Sequence, residues 1–322
     1  MTNPTVFIDG QEGTTGLRIR EMLVGREDID LLLIPESQRK NKDVRASFIN
    51  KADVVIFCLP DAAASDALEL VRNPTTKIID TSTTRRVSPG WIYGLPEIGP
   101  EHREKISNAS RVANCGCYPV SFILAVRPLV KNGLIPKDVT LTINAVSGYS
   151  GGGRKMIETY SAASPGIRSG DAHRPFSLYS LNSRHKHIAE MRKFALLDSP
   201  PMFVPSVVHT YCGMLVSIPL TSDCFVNSEV DRSQIYALWK DAYDHLPMVR
   251  LIDPGEGDKS LRQGFLDVET LGQTNQIELS VWGDERGLIL VGRLDNLGKG
   301  AAGNAVQCLN LMLGFEETMA LM

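Results

Sequence analysis

The stretch TVFIDGQEGTTGLRIREMLVG, Thr5–Gly25, decides the fold. It opens on a short β-rich run, Thr5–Gly10. It continues into a segment with Ile19, Met22 and Leu23 at helical spacing, Arg18, Arg20 and Glu21 outside that face, and Gly25 as its stop. The turn between them carries Gly10, Gly13 and Gly16, a G-x-x-G-x-x-G spacing in place of the usual G-x-G-x-x-G. Glycines here let the backbone approach a pyrophosphate, which then sits on the N–H groups of the helix N-terminus. A glycine turn before a helix is common, so the strand–turn–helix context gives the motif its weight. Gly10, Gly13, Thr14, Thr15 and Gly16 are the candidate cofactor residues of this turn.

Working outward, Ile29–Pro35, Ala52–Pro60 and Lys77–Thr83 read as further strands, and DAAASDALELV reads as a helix capped by Asp61. All-apolar strands alternating with helices predict a parallel sheet covered on both faces, a Rossmann-type α/β domain. Glu36 at the end of the second strand suits the free ribose of NAD, whereas Ser37, Arg39 and Lys40 directly after it suit a 2′-phosphate. The reading favours NADP over NAD, and the competing reading is a solvated charged loop.

The full chain of 322 residues, 43% hydrophobic and 22% charged with net charge −3, has room for two domains. That balance gives no electrostatic case for nucleic acid or an anionic membrane. No apolar run approaches the roughly 20 residues that span a bilayer. The N-terminus lacks the basic region of a signal or transit peptide, and six cysteines do not make a disulfide scaffold, so the expected location is the cytoplasm.

RVANCGCYPVSFILAVRPLVKNG, Arg111–Gly133, places Cys115 and Cys117 before one broad apolar helical face that starts at Phe122, with Pro128 expected to kink or shorten the helix. Cys117 falls at or just before a helix N-terminus, where a thiol pKa is lowered and N–H groups await an oxyanion. Beyond it, Val139–Asn144 alternates like a strand of a mixed or antiparallel sheet and breaks into SGYSGGGR, which serves either as an anion cradle ending in Arg154 or as a plain turn. NSRHKHIAEM supplies His185, His187 and Glu190. Further strands are expected over Gly213–Leu220, Gln276–Trp282 and Gly287–Leu294, a helix over about Ser228 to Tyr243, and a closing helix with Val306, Leu309 and Leu313 on one face. The second half is therefore an α+β domain.

Three readings of the thiols and histidines compete. Cys115, Cys117, His185 and His187 are four zinc-ligand types, but C-x-C and H-x-H are tighter than the usual spacings, so no metal is assigned. Inert core packing is the ordinary fate of a cysteine. A cysteine nucleophile with a distant histidine base, behind a dinucleotide domain, points to hydride transfer through a thioester.

FIDGQEGTTGLRIRE, IPESQRK, DTSTTRR, YGLPE, VSGYSGGGR, HKHIAEM and DNLGKGAAGNAVQCLNLMLG occur in order along essentially the whole chain. Together they resemble the N-acetyl-γ-glutamyl-phosphate reductase family, in its shorter second type. The family's N-P-G-C-Y/W-P/A-T-G motif is matched by NCGCYPVS at Asn114, Gly116, Cys117, Tyr118 and Pro119, while Cys115, Val120 and Ser121 depart from it. The resemblance implies that Cys117 is the nucleophile and that His185 is the acid/base, with His187 a second substrate-site candidate. It implies Ser82, Asn296, Gly303 and Gln307 on the cofactor side, and Ser147 and Gly148 on the substrate side. Arg86 and Arg154 join the substrate side because a guanidinium fork fits phosphate or carboxylate.

The resemblance further implies an NADP-binding domain over 1–116, completed by a C-terminal helix over 300–322. A catalytic and oligomerisation domain fills 117–299, and the chain forms a homodimer or homotetramer. The implied reaction is NADPH-dependent reduction of N-acetyl-γ-glutamyl phosphate in arginine biosynthesis. The alternatives are a related acyl-phosphate reductase such as aspartate-semialdehyde dehydrogenase, or a non-catalytic NADP-binding regulator.

Overall fold

The computed structural model describes residues 2–161, 175–227 and 229–322. They fall into two units, Met1–Cys115 with Ala301–Met322, and Gly116–Gly300.

In the first unit the chain runs β1 (Thr5–Asp9), α1 (Thr14–Leu23), β2 (Asp30–Leu32), α2 (Lys42–Lys51), β3 (Val54–Phe57), α3 (Asp61–Leu68), β4 (Lys77–Asp80), β5 (Ile92–Gly94), α4 (Pro100–Ser107) and β6 (Arg111–Asn114). The strands form one sheet, β2-β1-β3-β4-β6-β5, in which every pairing is parallel. β3 is buried along its whole length, as expected of a sheet with helices on both faces. On one face Phe7, Val55, Phe57 and Ile78 pack against Ile49 and Ala52 of the α2 region.

The second strand is shorter than its apolar run, because it lies at the sheet edge and Pro35 lacks an N–H for a ladder. Asp61 is not a cap. α3 starts on it, behind Pro60, and its carboxylate accepts from the Thr83 N–H (2.9 Å) and the Thr83 hydroxyl (2.6 Å). The closing helix, Gly303–Leu313, is buried on nearly every side, more than its one-face apolar pattern suggests. Its polar residues are bonded within this unit: Asn304 Nδ2 donates to Asn114 Oδ1 (2.7 Å), and Arg26 Nη1 donates to Asn310 Oδ1 (2.6 Å).

The second unit runs α5 (Cys117–Lys131), β7 (Thr142–Gly148), α6 (Gly153–Ser161), β8 (Phe176–Leu178), α7 (Ile188–Phe194), β9 (Met202–Val208), β10 (Met214–Leu220), α8 (Arg232–Tyr243), β11 (Val249–Leu251), β12 (Ile277–Asp284) and β13 (Gly287–Leu294). Its sheet, β11-β12-β13-β10-β7-β9-β8, is mixed. β10 is antiparallel to both β7 and β13, while β7–β9 and β11–β12 are parallel. The helix expected from Ser228 begins at Arg232, behind an Asp231–Gln234 capping box, and Ser228 itself lies outside the described residues.

α5 begins at Cys117 and continues past Pro128 to Lys131. Proline cannot donate to the carbonyl four residues back, which is Leu124. The Tyr243 hydroxyl of α8 donates to that carbonyl instead, at 2.9 Å, and Trp239 Nε1 donates to the neighbouring Ala125 carbonyl, also at 2.9 Å. Pro128 was expected to kink or shorten the helix; the helix is not shortened, and donors from α8 serve the carbonyls beside the defect.

Candidate active site

Cys117 is the first residue of α5. Gly116 stands at the N-cap position and supplies no side-chain cap. The first N–H groups of a helix have no intrahelical partner, so this start can hold an oxyanion. Cys117 is partly accessible, whereas Cys115 is buried. Two other partly accessible thiols are held protonated: loss of solvation pushes Cys58 up to about 12 and Cys212 up to about 11.

The segment after Leu294 closes on the same cysteine. Asp295 accepts from the Leu297 N–H (2.7 Å) and the Gly300 N–H bonds back to the Asp295 carbonyl (2.9 Å), within a π-helical turn over Gly298–Ala302. A side chain at Gly300 would meet Cys117 Cβ at 2.8 Å, so the backbone is pressed directly against the thiol-bearing residue.

His185 and His187 lie side by side with ring centroids 4.6 Å apart, and the Tyr118 ring stands 6.0 and 5.8 Å from them. His187 N–H donates to His185 Nδ1 at 3.2 Å. Glu190, almost fully buried, accepts from the Gly116 N–H at 3.0 Å and has its other oxygen 3.9 Å from His187 Nε2. Tyr179 donates its hydroxyl to the Tyr118 oxygen (3.0 Å), and burial raises the Tyr118 phenol well above its ordinary value. Glu190, Tyr179 and Gly300 received no role from sequence. For Glu190 the signal was its place on the helix following the histidines, and for Gly300 only a fold could reveal the contact.

The SGYSGGGR loop is built as a pinned turn. Ser147 Oγ donates to the Gly148 carbonyl (3.1 Å), and the Gly148 N–H donates to the Gly213 carbonyl (2.9 Å). Asn296, expected near the nicotinamide, uses its amide inside this unit: Nδ2 donates to Ser150 Oγ and Oδ1 accepts from the Gly213 N–H, both at 2.9 Å. Arg154 stands exposed at the start of α6.

In the first unit, α1 begins after Gly13 with no side-chain cap, and Thr14 and Thr15 are its first two residues. Gly10 has φ +96°, where a side chain would run into the Cys58 carbonyl, and one on Gly16 would run into the Gly10 carbonyl. The turn is therefore bare backbone beside open N–H groups, the cradle a pyrophosphate fits. Ser37 and Lys40 are exposed, and Arg39 lies 3.7 Å from the Glu36 carboxylate.

Ser82 is committed to Asp80, donating its N–H (2.8 Å) and hydroxyl (2.9 Å), and burial raises the Asp80 pKa. Arg86 Nη2 donates to the Thr81 carbonyl at 3.3 Å. Gly303 opens the closing helix, and Gln307 Nε2 donates to Glu97 and Glu317, 2.7 Å each. Among the described residues no cluster of three His, Cys, Asp or Glu side chains is arranged to hold a metal ion, and no helix is long and apolar enough to cross a membrane.

Residues 5–106 match the family model described as semialdehyde dehydrogenase, NAD binding domain, and residues 117–296 match semialdehyde dehydrogenase, dimerisation domain. Among solved structures, aspartate semialdehyde dehydrogenase II of Vibrio cholerae shares the fold at TM-score 0.69 and 17% identity, covering 98% of this chain and 99% of that one. The aspartate semialdehyde dehydrogenase of Francisella tularensis does so at TM-score 0.71 and 14% identity, over 96% and 99%. At such identities these show the fold alone. Sequence relatives carry more. N-acetyl-gamma-glutamyl-phosphate reductase 2 of Nostoc sp. is 44% identical over the full length of both chains, and that of Pseudomonas putida is 41% identical over 98% of each. The chain therefore belongs to the N-acetyl-γ-glutamyl-phosphate reductase family, within the semialdehyde dehydrogenases.

Proposed function

We propose that this chain reduces N-acetyl-γ-glutamyl phosphate to N-acetylglutamate semialdehyde with NADPH, in arginine biosynthesis, as a cytoplasmic homodimer or homotetramer. The observation that carries the reading is Cys117 at the uncapped start of α5, in the unit that also gathers His185 and His187 around Tyr118. The family relationship supports the substrate and the matched dimerisation domain supports the assembly. Two arginines suit the anionic ends of the substrate, Arg86 and Arg154.

The cofactor fits the first unit on two observations: side chains on Gly10 and Gly16 would collide with backbone, and α1 has no cap of its own. Gly10, Gly13, Thr14, Thr15 and Gly16 would hold the pyrophosphate, and Ser37, Arg39 and Lys40 the 2′-phosphate that distinguishes NADP. Asp80 holds the Ser82 side chain in place.

In the reaction, the Cys117 sulfur attacks the acyl carbon and the C–O bond to phosphate breaks, leaving a thioester on the enzyme and free phosphate. The histidine pair takes the thiol proton, a service typically worth about 10²–10⁴-fold. N–H groups at the start of α5 hold the oxyanion, each worth about 3 kcal/mol. NADPH, when bound, would supply the hydride, and the histidine pair would return the thiol proton to the carbonyl oxygen, giving a thiohemiacetal on Cys117. The histidine pair then passes the hydroxyl proton to the sulfur as the C–S bond breaks, and semialdehyde departs with the Cys117 thiol restored.

The test is phosphate-dependent NADP⁺ reduction with N-acetylglutamate semialdehyde beside aspartate semialdehyde, in the wild type and in Cys117→Ser. Turnover on the first substrate alone, lost in the variant with NADPH binding kept, is the expected result. Preference for aspartate semialdehyde moves the substrate, and turnover by Cys117→Ser removes the nucleophile.

A further inference from the structure

Tyr179 directly follows β8, and its backbone N–H donates to the Pro205 carbonyl of β9 at 3.2 Å. The next carbonyl, that of Ser206, accepts from the Tyr118 hydroxyl at 3.3 Å, and the Tyr118 oxygen accepts from the Tyr179 hydroxyl at 3.0 Å. The Tyr179 ring meets the His185 ring edge-on, with 5.7 Å between centroids. Tyr179 therefore touches the residue that follows Cys117 in the chain and one of the two histidines. Unlike Tyr118, which is buried, it is 37% exposed and so open to a small molecule.

The order of these bonds fixes what the Tyr179 phenol can offer. A backbone carbonyl only accepts, so the Tyr118 proton is committed to Ser206. Tyr118 then accepts from Tyr179, which commits the Tyr179 proton as well. What remains on Tyr179 is the pair of oxygen lone pairs, which accept from no group among the described residues. At neutral pH a phenol keeps its proton, so this oxygen is an uncharged acceptor, neither a proton source nor a site for an anion.

Such an oxygen selects for a donor on the substrate. In N-acetyl-γ-glutamyl phosphate the carboxylate, the phosphate and both carbonyl oxygens are acceptors at neutral pH, and the acetamido N–H is the one donor. We infer that Tyr179 is a specificity residue whose phenolic oxygen accepts the acetamido N–H of the substrate, with Tyr118 and Ser206 holding that oxygen in its acceptor role. The inference rests on the reductase reading above. It gives the phenol pair to recognition of the acyl amide and leaves proton transfer to the histidines.

The experiment is phosphate-dependent NADP⁺ reduction by the full chain with N-acetylglutamate semialdehyde and with its ester analogue, in which oxygen replaces the acetamido N–H. The wild type should favour the amide by roughly 3- to 10-fold in KM, the range of one neutral hydrogen bond. Tyr179→Phe keeps the ring against His185 and loses only the oxygen. It should raise KM for the amide by the same factor, bring amide and ester to equal KM, and leave kcat and the NADP⁺ affinity unchanged. A merely structural role would weaken both substrates alike and preserve their ratio. An amide preference that survives in folded Tyr179→Phe overturns the inference, as does a wild type without that preference, which needs no variant to be read. A weakened NADP⁺ titration at unchanged KM would give the oxygen to the cofactor and overturn it too. In each of these cases turnover of the amide leaves the reductase reading standing, whereas a wild type that turns over neither substrate removes that reading and the inference with it.

Discussion

Gly300 stands against Cys117 so closely that a methyl group on it would lie 2.8 Å from the Cys117 Cβ and 3.0 Å from the Asp295 carbonyl. The π-helical turn that brings it there is a local departure from α-helix of the kind found at functional sites. Gly300→Ala must therefore move either that turn or Cys117, the proposed nucleophile. Misplacement of a reacting group by about 1 Å costs on the order of 10²-fold in rate. The expected outcome is a kcat lowered by about that factor with NADPH affinity retained, read by steady-state kinetics beside a fluorescence titration.

Ser121 is one of the departures from the family's cysteine motif, and it is completely buried. Its side chain faces Gly292 of β13, where a Cβ would come within 2.5 Å of the Ser121 Cβ, and its hydroxyl has no hydrogen-bond partner. A buried hydroxyl without a partner costs about 1–3 kcal/mol. Ser121→Ala is expected to raise stability by about 1 kcal/mol, seen as a higher urea midpoint at unchanged m-value. A lower midpoint would show that the hydroxyl is satisfied in solution.

Tyr243→Phe tests the repair of the proline defect. It removes the hydroxyl that serves the Leu124 carbonyl, which Pro128 leaves without its helical donor. The loss should be about 1–3 kcal/mol of stability. A smaller effect on kcat is expected, because the site of the loss is two turns along α5 from Cys117. Urea unfolding and turnover measured on the same preparation separate the two.

The sequence was most legible where local chemistry and tertiary context agree. The glycine turn at Gly10–Gly16 was legible through its place between a strand and a helix and the buried strands through their uninterrupted apolar runs, and Cys117 could be placed at a helix start from the apolar face that follows it. Asp61 and Pro128 show where legibility ends. An aspartate before an apolar run is a normal cap signal, but here Thr83, far along the chain, takes its carboxylate. Pro128 is a breaker until Tyr243, more than a hundred residues later, supplies the missing donor. The candidate site divides the same way. The thiol and the histidines are reactive types in recognisable patterns, whereas Gly300 and Glu190 matter through distances that only folding creates. Gln307 and Asn296 carry motif signals, yet their amides are bonded to protein partners, Glu97 and Glu317 for one and Ser150 and Gly213 for the other.

Asp28 supplies a pH-dependent test of how the closing helix is held in the first unit. Arg26 donates to both Asp28 oxygens (2.9 and 2.5 Å) and to Asn310 Oδ1 (2.6 Å), and its guanidinium lies 5.3 Å from the centre of the Phe315 ring. Hydrogen bonding to Arg26 is the largest influence on the Asp28 carboxyl and holds it below its ordinary value of 3.8. The folded pKa is thus lower than the unfolded one, and between the two the unfolded chain binds more protons. The stabilisation from Asp28 is therefore complete above about pH 4, the ordinary aspartate value, and is lost as pH falls through the lower folded pKa. Asp28→Asn should lower stability at pH 7 by about 1 kcal/mol or less, as for a partly exposed pair. Urea midpoints of the two proteins should converge as the pH is taken below 4. A gap that stays constant down to that range would mean that the asparagine disturbs packing, and that the charge of Asp28 does not help Arg26 hold the closing helix.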